Sequence, residues 1–155
     1  MPTCKKNKTI VLQQKLYDKV AKGLCEQDSR YSDVPLHIYW YHTRDTRSAL
    51  GLLIPKTKYK KEFETVAVFS EHNVKIAEKI LRAIGLTKIT FDVKKLLAQI
   101  QIMTSQAEAI FPLEKQRAAF LCRSYYHLLE LGKQFRLDTK IIEKIIAENH
   151  LQYYQ

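Results

Sequence analysis

Arg123 and His127 have the residue types and the spacing that could act on a phosphodiester. They lie four residues apart in the segment Arg-Ser-Tyr-Tyr-His, so on a helix both side chains would project from one face. Histidine transfers protons near neutral pH, and the arginine guanidinium binds phosphate oxygens. Cleavage of RNA is therefore one hypothesis for this pair. The alternative is ordinary helix packing, which we favour for the neighbouring Tyr125.

The other histidines and the cysteines form no recognisable catalytic or metal-binding pattern. His37 and His42 are five residues apart and would face opposite sides of an ideal strand. The three cysteines include no CxxC pair, which argues against a zinc site or a disulfide framework. The HExxH, GxGxxG, GxSxG and phosphate-loop motifs are missing from the sequence. The sequence therefore predicts a protein that is not an enzyme and holds no metal and no cofactor.

Basic residues recur at helical spacing in two segments. The first set is Lys15, Lys19 and Lys22, and the second is Lys75, Lys79 and Arg82. Each set falls opposite the apolar residues of its segment, so each helix would present a row of cations. A solvated surface explains one such row by itself. Two rows together favour contact with a row of phosphates.

A third group of cations surrounds Tyr59 in the segment Pro55–Lys61, which we predict to be a loop that touches phosphates. Arg44 and Arg47 follow another tyrosine-rich segment. Tyrosine rings can stack on unpaired bases, so these aromatic residues favour a single-stranded ligand. The predicted nucleic-acid-binding residues are Lys15, Lys19, Lys22, Arg44, Arg47, Lys56, Lys58, Tyr59, Lys60, Lys61, Lys75, Lys79 and Arg82.

The elements that would position these residues are mostly helices. Apolar residues at three- and four-residue spacing in Asp92–Leu131 predict two long helices broken near Phe111 by Pro112. We expect these two helices to form an antiparallel hairpin, with Gly132 ending the second. The same spacing predicts a helix over Thr9–Glu26.

Two shorter helices complete the helical prediction. One has Val74, Ala77, Ile80, Leu81 and Ile84 on its core face, and the other follows a capping Asp138. Ser70 and Glu71 are expected at the start of the first, and Gly85 is expected to end it.

A short β element is predicted between the helices. Leu36–His42 alternates apolar and polar residues, and Thr65–Phe69 is rich in β-formers, so we expect the two to pair. Ala49–Ile54 could be a third strand or a short helix. The predicted fold class is mostly α: a helical bundle with a long helical hairpin at about 92–131 and a small β-hairpin or sheet element at about 36–69. Residues 1–155 are predicted to form a single basic helical domain.

The whole-chain composition favours a polyanionic partner. The 155 residues carry a formal net charge of +10, while the apolar content of 46% is ordinary for a globular protein. A basic surface that serves only solubility is the alternative. No apolar run approaches the roughly 20 residues of a membrane span, and the N-terminus lacks an apolar signal region. We therefore expect a cytoplasmic protein that does not enter a membrane.

In size, charge and helix content, the chain resembles the small subunits of CRISPR effector complexes. Those proteins are basic, mostly helical and non-catalytic, and several copies line a nucleic-acid groove. The helices predicted at Thr9–Glu26, Val74–Ile84 and Asp92–Ala147 support the resemblance, whereas the β-rich Leu36–Phe69 departs from it. The resemblance implies contact with RNA or single-stranded DNA in an antiviral ribonucleoprotein, beside other subunits or copies of itself. It assigns a role to no single residue.

The sequence is also compatible with two other functions. The first is a protein–protein interaction module, such as an inhibitor or chaperone, that uses its helices on an acidic partner. The second is a small ribonuclease similar to the HEPN family, whose arginine and histidine are separated by four to six residues. In this chain three residues separate Arg123 from His127.

Overall fold

The structure is a computed structural model that describes residues 7–27, 48–64, 66, 68, 71–110 and 117–148. Of residues 27, 103–110 and 117–123 it describes the backbone alone. The described chain contains the α-helices α1 (Lys8–Gln27), α2 (Val74–Ile84), α3 (Phe91–Ile110), α4 (Arg117–Gln134) and α5 (Lys140–Glu148). Short 3-10 turns occur at Gly51–Leu53, Lys56–Lys58 and Lys61–Phe63. The prediction of a mostly helical bundle is thereby confirmed.

The long helical hairpin is α3 and α4, which pack against each other. α3 ends at Ile110, next to the break predicted near Phe111. The apolar face of α3 is buried through Val93, Leu96, Leu97 and Ile100, as the three- and four-residue spacing requires. Tyr125, Leu128 and Leu129 on α4 join the same core. α1 packs against α3, α4 and α5, so it completes the bundle.

The predicted β-hairpin is not seen. No strand occurs among residues 48–64, 66 and 68, and Leu36–His42 lies outside the described residues. Ala49–Ile54 adopts the helical alternative, since it contains the 3-10 turn Gly51–Leu53. At the two described residues of the β-rich segment, Val66 and Val68, a side chain bonds the backbone. The Gln101 Nε2 donates to the carbonyl of Val66 at 3.1 Å, and the amide of Val68 donates to the Gln101 Oε1 at 3.0 Å.

This contact occupies backbone groups that the β prediction assigned to a strand pair. A glutamine carboxamide carries the same donor and acceptor as a peptide bond, so it can satisfy the two backbone groups that a neighbouring strand would otherwise bond. Gln14 makes the same kind of contact elsewhere. Its Oε1 accepts the amide of Asp138 at 2.7 Å, and its Nε2 donates to the Asp138 carbonyl at 3.0 Å. This pair of bonds ties α1 to the segment that precedes α5.

Gly132 does not end α4, contrary to prediction, because the helix continues to Gln134. The left-handed residue at the end is Arg136, with φ 55°. The amide of Leu137 bonds the Gly132 carbonyl at 2.8 Å, and the amide of Arg136 bonds the Lys133 carbonyl at 3.0 Å. These two bonds form a Schellman motif. Gly132 has another role: a Cβ built there would lie 2.6 Å from the hydroxyl of Tyr17.

Tyr17 is the largest buried link between α1 and α4. Its side chain is fully buried, and its hydroxyl donates to the carbonyl of Leu128 at 2.6 Å. In an α-helix the carbonyl of residue 128 accepts a hydrogen bond from the amide of residue 132, one turn later in the chain. The missing side chain at Gly132 therefore lets a tyrosine from another helix reach the backbone of α4. Burial, followed by the nearby charges of Asp18 and Glu143, raises the pKa of Tyr17 well above its usual value.

The Tyr17→Phe variant is expected to change how the free energy of unfolding depends on pH in the alkaline range. The buried phenol must stay protonated in the folded state, so its stabilising contribution is intact below about pH 10 and is lost progressively above it. Tyr17→Phe should cost about 1 kcal/mol at pH 7 through loss of the hydrogen bond. Above about pH 10, the wild type should lose stability more steeply than the variant. Urea unfolding at pH 7 and at alkaline pH tests this, and a constant difference between the two proteins across that range would contradict it.

The ends of α2 agree only partly with the sequence patterns. Gly85 ends the helix as predicted, with φ 95°. The amides of Gly85 and Leu86 bond the carbonyls of Arg82 and Leu81. The N-terminal prediction was wrong: the cap position is Asn73, which makes no side-chain capping bond, and Ser70 lies outside the described residues. Ala77, Ile80 and Leu81 are buried as expected, but Val74 is 52% exposed.

The start of α5 follows the prediction. The Asp138 Oδ1 accepts the amide of Lys140 at 2.9 Å. Ile142, Ile145 and Ile146 are buried behind this cap. No helix in the described part of the chain is long and apolar enough to cross a bilayer.

Candidate nucleic-acid interface

α1 presents a row of lysines on its outer face. Lys8, Lys15, Lys19 and Lys22 are all exposed, and their spacing places them within one narrow sector of the helix. At 1.5 Å per residue the row is about 21 Å long. The opposite face is buried through Tyr17, Val20, Ala21 and Leu24. The packing of α1 on the bundle therefore fixes the direction in which the lysines point.

Acidic residues do not neutralise this lysine row. Among the described residues, no carboxylate oxygen lies within 4.0 Å of Lys15, Lys19 or Lys22. Asp18, on the same helix, instead accepts a hydrogen bond from the Gln14 Nε2 at 2.8 Å. Glu26 is exposed one turn beyond Lys22. Three adjacent ammonium groups without a carboxylate repel one another, and a row of phosphates would relieve that repulsion.

The lysine segment Pro55–Lys61 contains one short 3-10 turn. The 3-10 turn Lys56–Lys58 is closed by backbone bonds such as that from the Lys58 amide to the Pro55 carbonyl, at 2.9 Å. All four lysines of the segment are exposed. These four side chains therefore reach the surface, and their predicted contact with phosphates stays a prediction.

Tyr59 does not stand free in this segment. Its ring lies edge-on to Phe63, with centroids 6.5 Å apart and planes at 88°. Its hydroxyl donates to the Glu64 Oε1 at 2.7 Å. Burial raises the pKa of Tyr59, and the hydrogen bond and negative charge of Glu64 raise it further. The tyrosine anchors the segment to the core, so the expected stacking surface on its ring is reduced.

α2 brings the second basic set beside the lysine segment. The helix packs against the 3-10 turn Lys61–Phe63. The Lys79 Nζ lies 3.0 Å from the Glu62 Oε1, and both side chains are partly exposed. Lys75 and Arg82 are also exposed. The structure therefore places two of the three predicted basic groups on neighbouring elements, and one of their cations, Lys79, is already paired.

Some predicted site residues lie outside the description. Arg44 and Arg47 lie outside the described residues, and the side chain of Arg123 is not described. His127 is half-buried on α4. Nothing in the geometry therefore tests the ribonuclease hypothesis. Among the described residues no cluster of histidine, cysteine, aspartate or glutamate has the arrangement of a metal site.

Two cations near the start of α3 were missed by the sequence analysis. Lys88 is exposed and Lys94 half-buried, and both line a cavity together with Arg82. Their spacing of six residues follows no single helical face, so periodicity does not group them. The local signal was the segment Thr-Lys-Ile-Thr at 87–90, where two hydroxyls and a cation precede a helix.

Comparison with protein-family models, with curated proteins and with solved structures gives no match for this chain.

Proposed function

We propose that this protein is a non-catalytic nucleic-acid-binding subunit of a larger ribonucleoprotein assembly. It would hold single-stranded RNA or DNA by its backbone, as the small subunits of CRISPR effector complexes do. The unneutralised lysine row of α1 is the observation that supports this most. Each lysine of this row would contact phosphates as a point charge, and such contacts do not distinguish one base from another. The proposed binding is therefore independent of sequence.

The basic groups beside α2 extend the proposed contact surface. Lys75 and Arg82 lie on α2, which packs on the 3-10 turn Lys61–Phe63 at the end of the lysine segment. Backbone-directed cations on rigid helices order a flexible strand with little loss of protein conformational entropy. A polyanion that covers the lysine row of α1 and the basic groups beside α2 would contact lysines of the segment Pro55–Lys61 as well as those of α1.

Salt dependence distinguishes this function from binding to an acidic partner protein. Each lysine contact with a single strand releases condensed counterions, so the logarithm of the affinity should fall linearly with the logarithm of salt concentration. The measurement is fluorescence anisotropy with labelled RNA and DNA strands of mixed sequence over a salt series. Absence of binding at low salt would contradict the proposal and favour the interaction module.

The lysine segment provides a separate expected result. Replacing Lys58, Lys60 and Lys61 by alanine should make the salt slope shallower by up to about 0.7–0.9 per lost contact, equally for all sequences. The three side chains are exposed, so the free energy of unfolding should change by no more than about 0.5 kcal/mol. An unchanged slope in the folded variant would place the strand elsewhere. Loss of fold together with binding would show that the segment is structural.

A further inference from the structure

A cavity of about 540 Å³ lies between the end of α2 and the start of α3. Its cations come from three consecutive parts of the chain: Arg82 on α2, Lys88 in the connection and Lys94 on α3. Among the described residues no carboxylate oxygen lies within 4.0 Å of any of these three groups. The cavity is therefore a second cationic site, distinct in its elements from the lysine row of α1.

The wall of the cavity also contains hydroxyl and apolar groups. Thr87 and Thr90 contribute hydroxyls, and the Thr90 Oγ1 already accepts the amide of Val93 at 3.4 Å, which leaves its proton to donate. Leu81 and Leu86 are buried and give an apolar wall. The volume lies within the range of about 300–1,000 Å³ that is usual for small-molecule sites. It is larger than a bare ion requires.

The charges of the wall match a phosphomonoester better than a phosphodiester. The cavity lining contains three cations and one carboxylate, that of Glu78. A phosphomonoester carries about −1.5 to −2 charges at neutral pH, whereas a backbone diester carries a single charge. We propose that this cavity binds the terminal nucleotide of a strand, with its end phosphate on Arg82, Lys88 and Lys94 and its sugar or base on the leucines. The proposal rests on the proposed function for the bound strand; it shares Arg82 with the surface beside α2 and adds Lys88 and Lys94.

The experiment compares short thymidine strands that differ only at their ends: 5′-phosphate, 3′-phosphate, or hydroxyl at both. One of the two phosphorylated strands should bind about tenfold more tightly than the hydroxyl-ended strand, because its end phosphate gains a few partly exposed ion pairs. The double variant Lys88→Ala with Lys94→Ala should abolish this preference and leave the affinity for the hydroxyl-ended strand nearly unchanged. Lys95→Ala is the matched control, because Lys95 is exposed on the same helix and does not line the cavity.

The possible outcomes separate this proposal from the proposed function. Equal affinity for all three strands would overturn the end-binding site and leave strand binding by α1 intact. If no strand binds, thymidine monophosphate is titrated and the backbone amide resonances of residues 86–94 are followed by NMR. Shifts confined to those residues, absent in the double variant, would support the cavity as a phosphomonoester site. A spectrum that does not change would overturn it.

Discussion

Replacing Gly132 by alanine is expected to lower the free energy of unfolding by about 2 kcal/mol. A Cβ at this position would lie 2.6 Å from both the hydroxyl of Tyr17 and the Cγ2 of Thr139. Alanine is favoured over glycine inside a helix by about 1 kcal/mol, so helix propensity alone predicts the opposite sign. The clash and the displacement of the Tyr17 hydrogen bond outweigh that gain. Thermal unfolding should show a decrease in Tm of roughly 4–8 °C for a domain of this size.

Two controls identify the cause of that loss. Gly23 also lies inside a helix, but there a Cβ would meet only the side-chain end of Leu52, at 3.0–3.4 Å. Gly23→Ala should therefore stay within about 1 kcal/mol of the wild type. In a Tyr17→Phe, Thr139→Ser background, Gly132→Ala should cost at least about 1 kcal/mol less, because the two closest atoms are gone. An alanine at 132 that stabilises the wild-type protein would contradict the close approach of Tyr17.

Replacing Lys15, Lys19 and Lys22 together by alanine is expected to weaken single-strand binding roughly 10- to 100-fold at low salt. Three lost phosphate contacts should also make the salt slope shallower by about 2, since each contact contributes about 0.7 for a single strand. The three side chains are exposed on the outer face of α1, and alanine is a good helix former. Circular dichroism should therefore show an unchanged fold.

The control for this variant removes the same charge elsewhere. Lys133, Lys140 and Lys144 lie within 2.9–3.8 Å of carboxylates of Glu130, Asp138 and Glu148. Their replacement by alanine lowers the net charge equally, but it removes lysines that already have partners. Affinity should then fall by less than about threefold. Equal losses in the two triple variants would mean that binding follows net charge alone, and the row on α1 would lose its assigned role.

The helices of this protein are largely determined by local sequence. The apolar spacing of α1 and α3 predicts their extents and, in α3, the buried face from Val93 to Ile100, because 3.6-residue periodicity depends on neighbours along the chain. The end of α2 is also determined locally. Gly85 has a positive φ, which glycine adopts at little cost, so this helix end could be assigned from the sequence. The exposure of the lysine row follows from the same periodicity, since lysine is rarely buried without a partner.

The tertiary structure decided what these local patterns could not. Tyr17 bonds a carbonyl 111 residues away, and that contact makes Gly132 a site of close approach instead of a helix end. Gln101 bonds the backbone of Val66 and Val68 across more than 30 residues, and no local pattern predicts this contact. The Lys79–Glu62 pair likewise joins two elements through residues that are 17 positions apart in sequence. Periodicity reports which face of an element is apolar, whereas the partner of each polar group depends on how the whole chain packs.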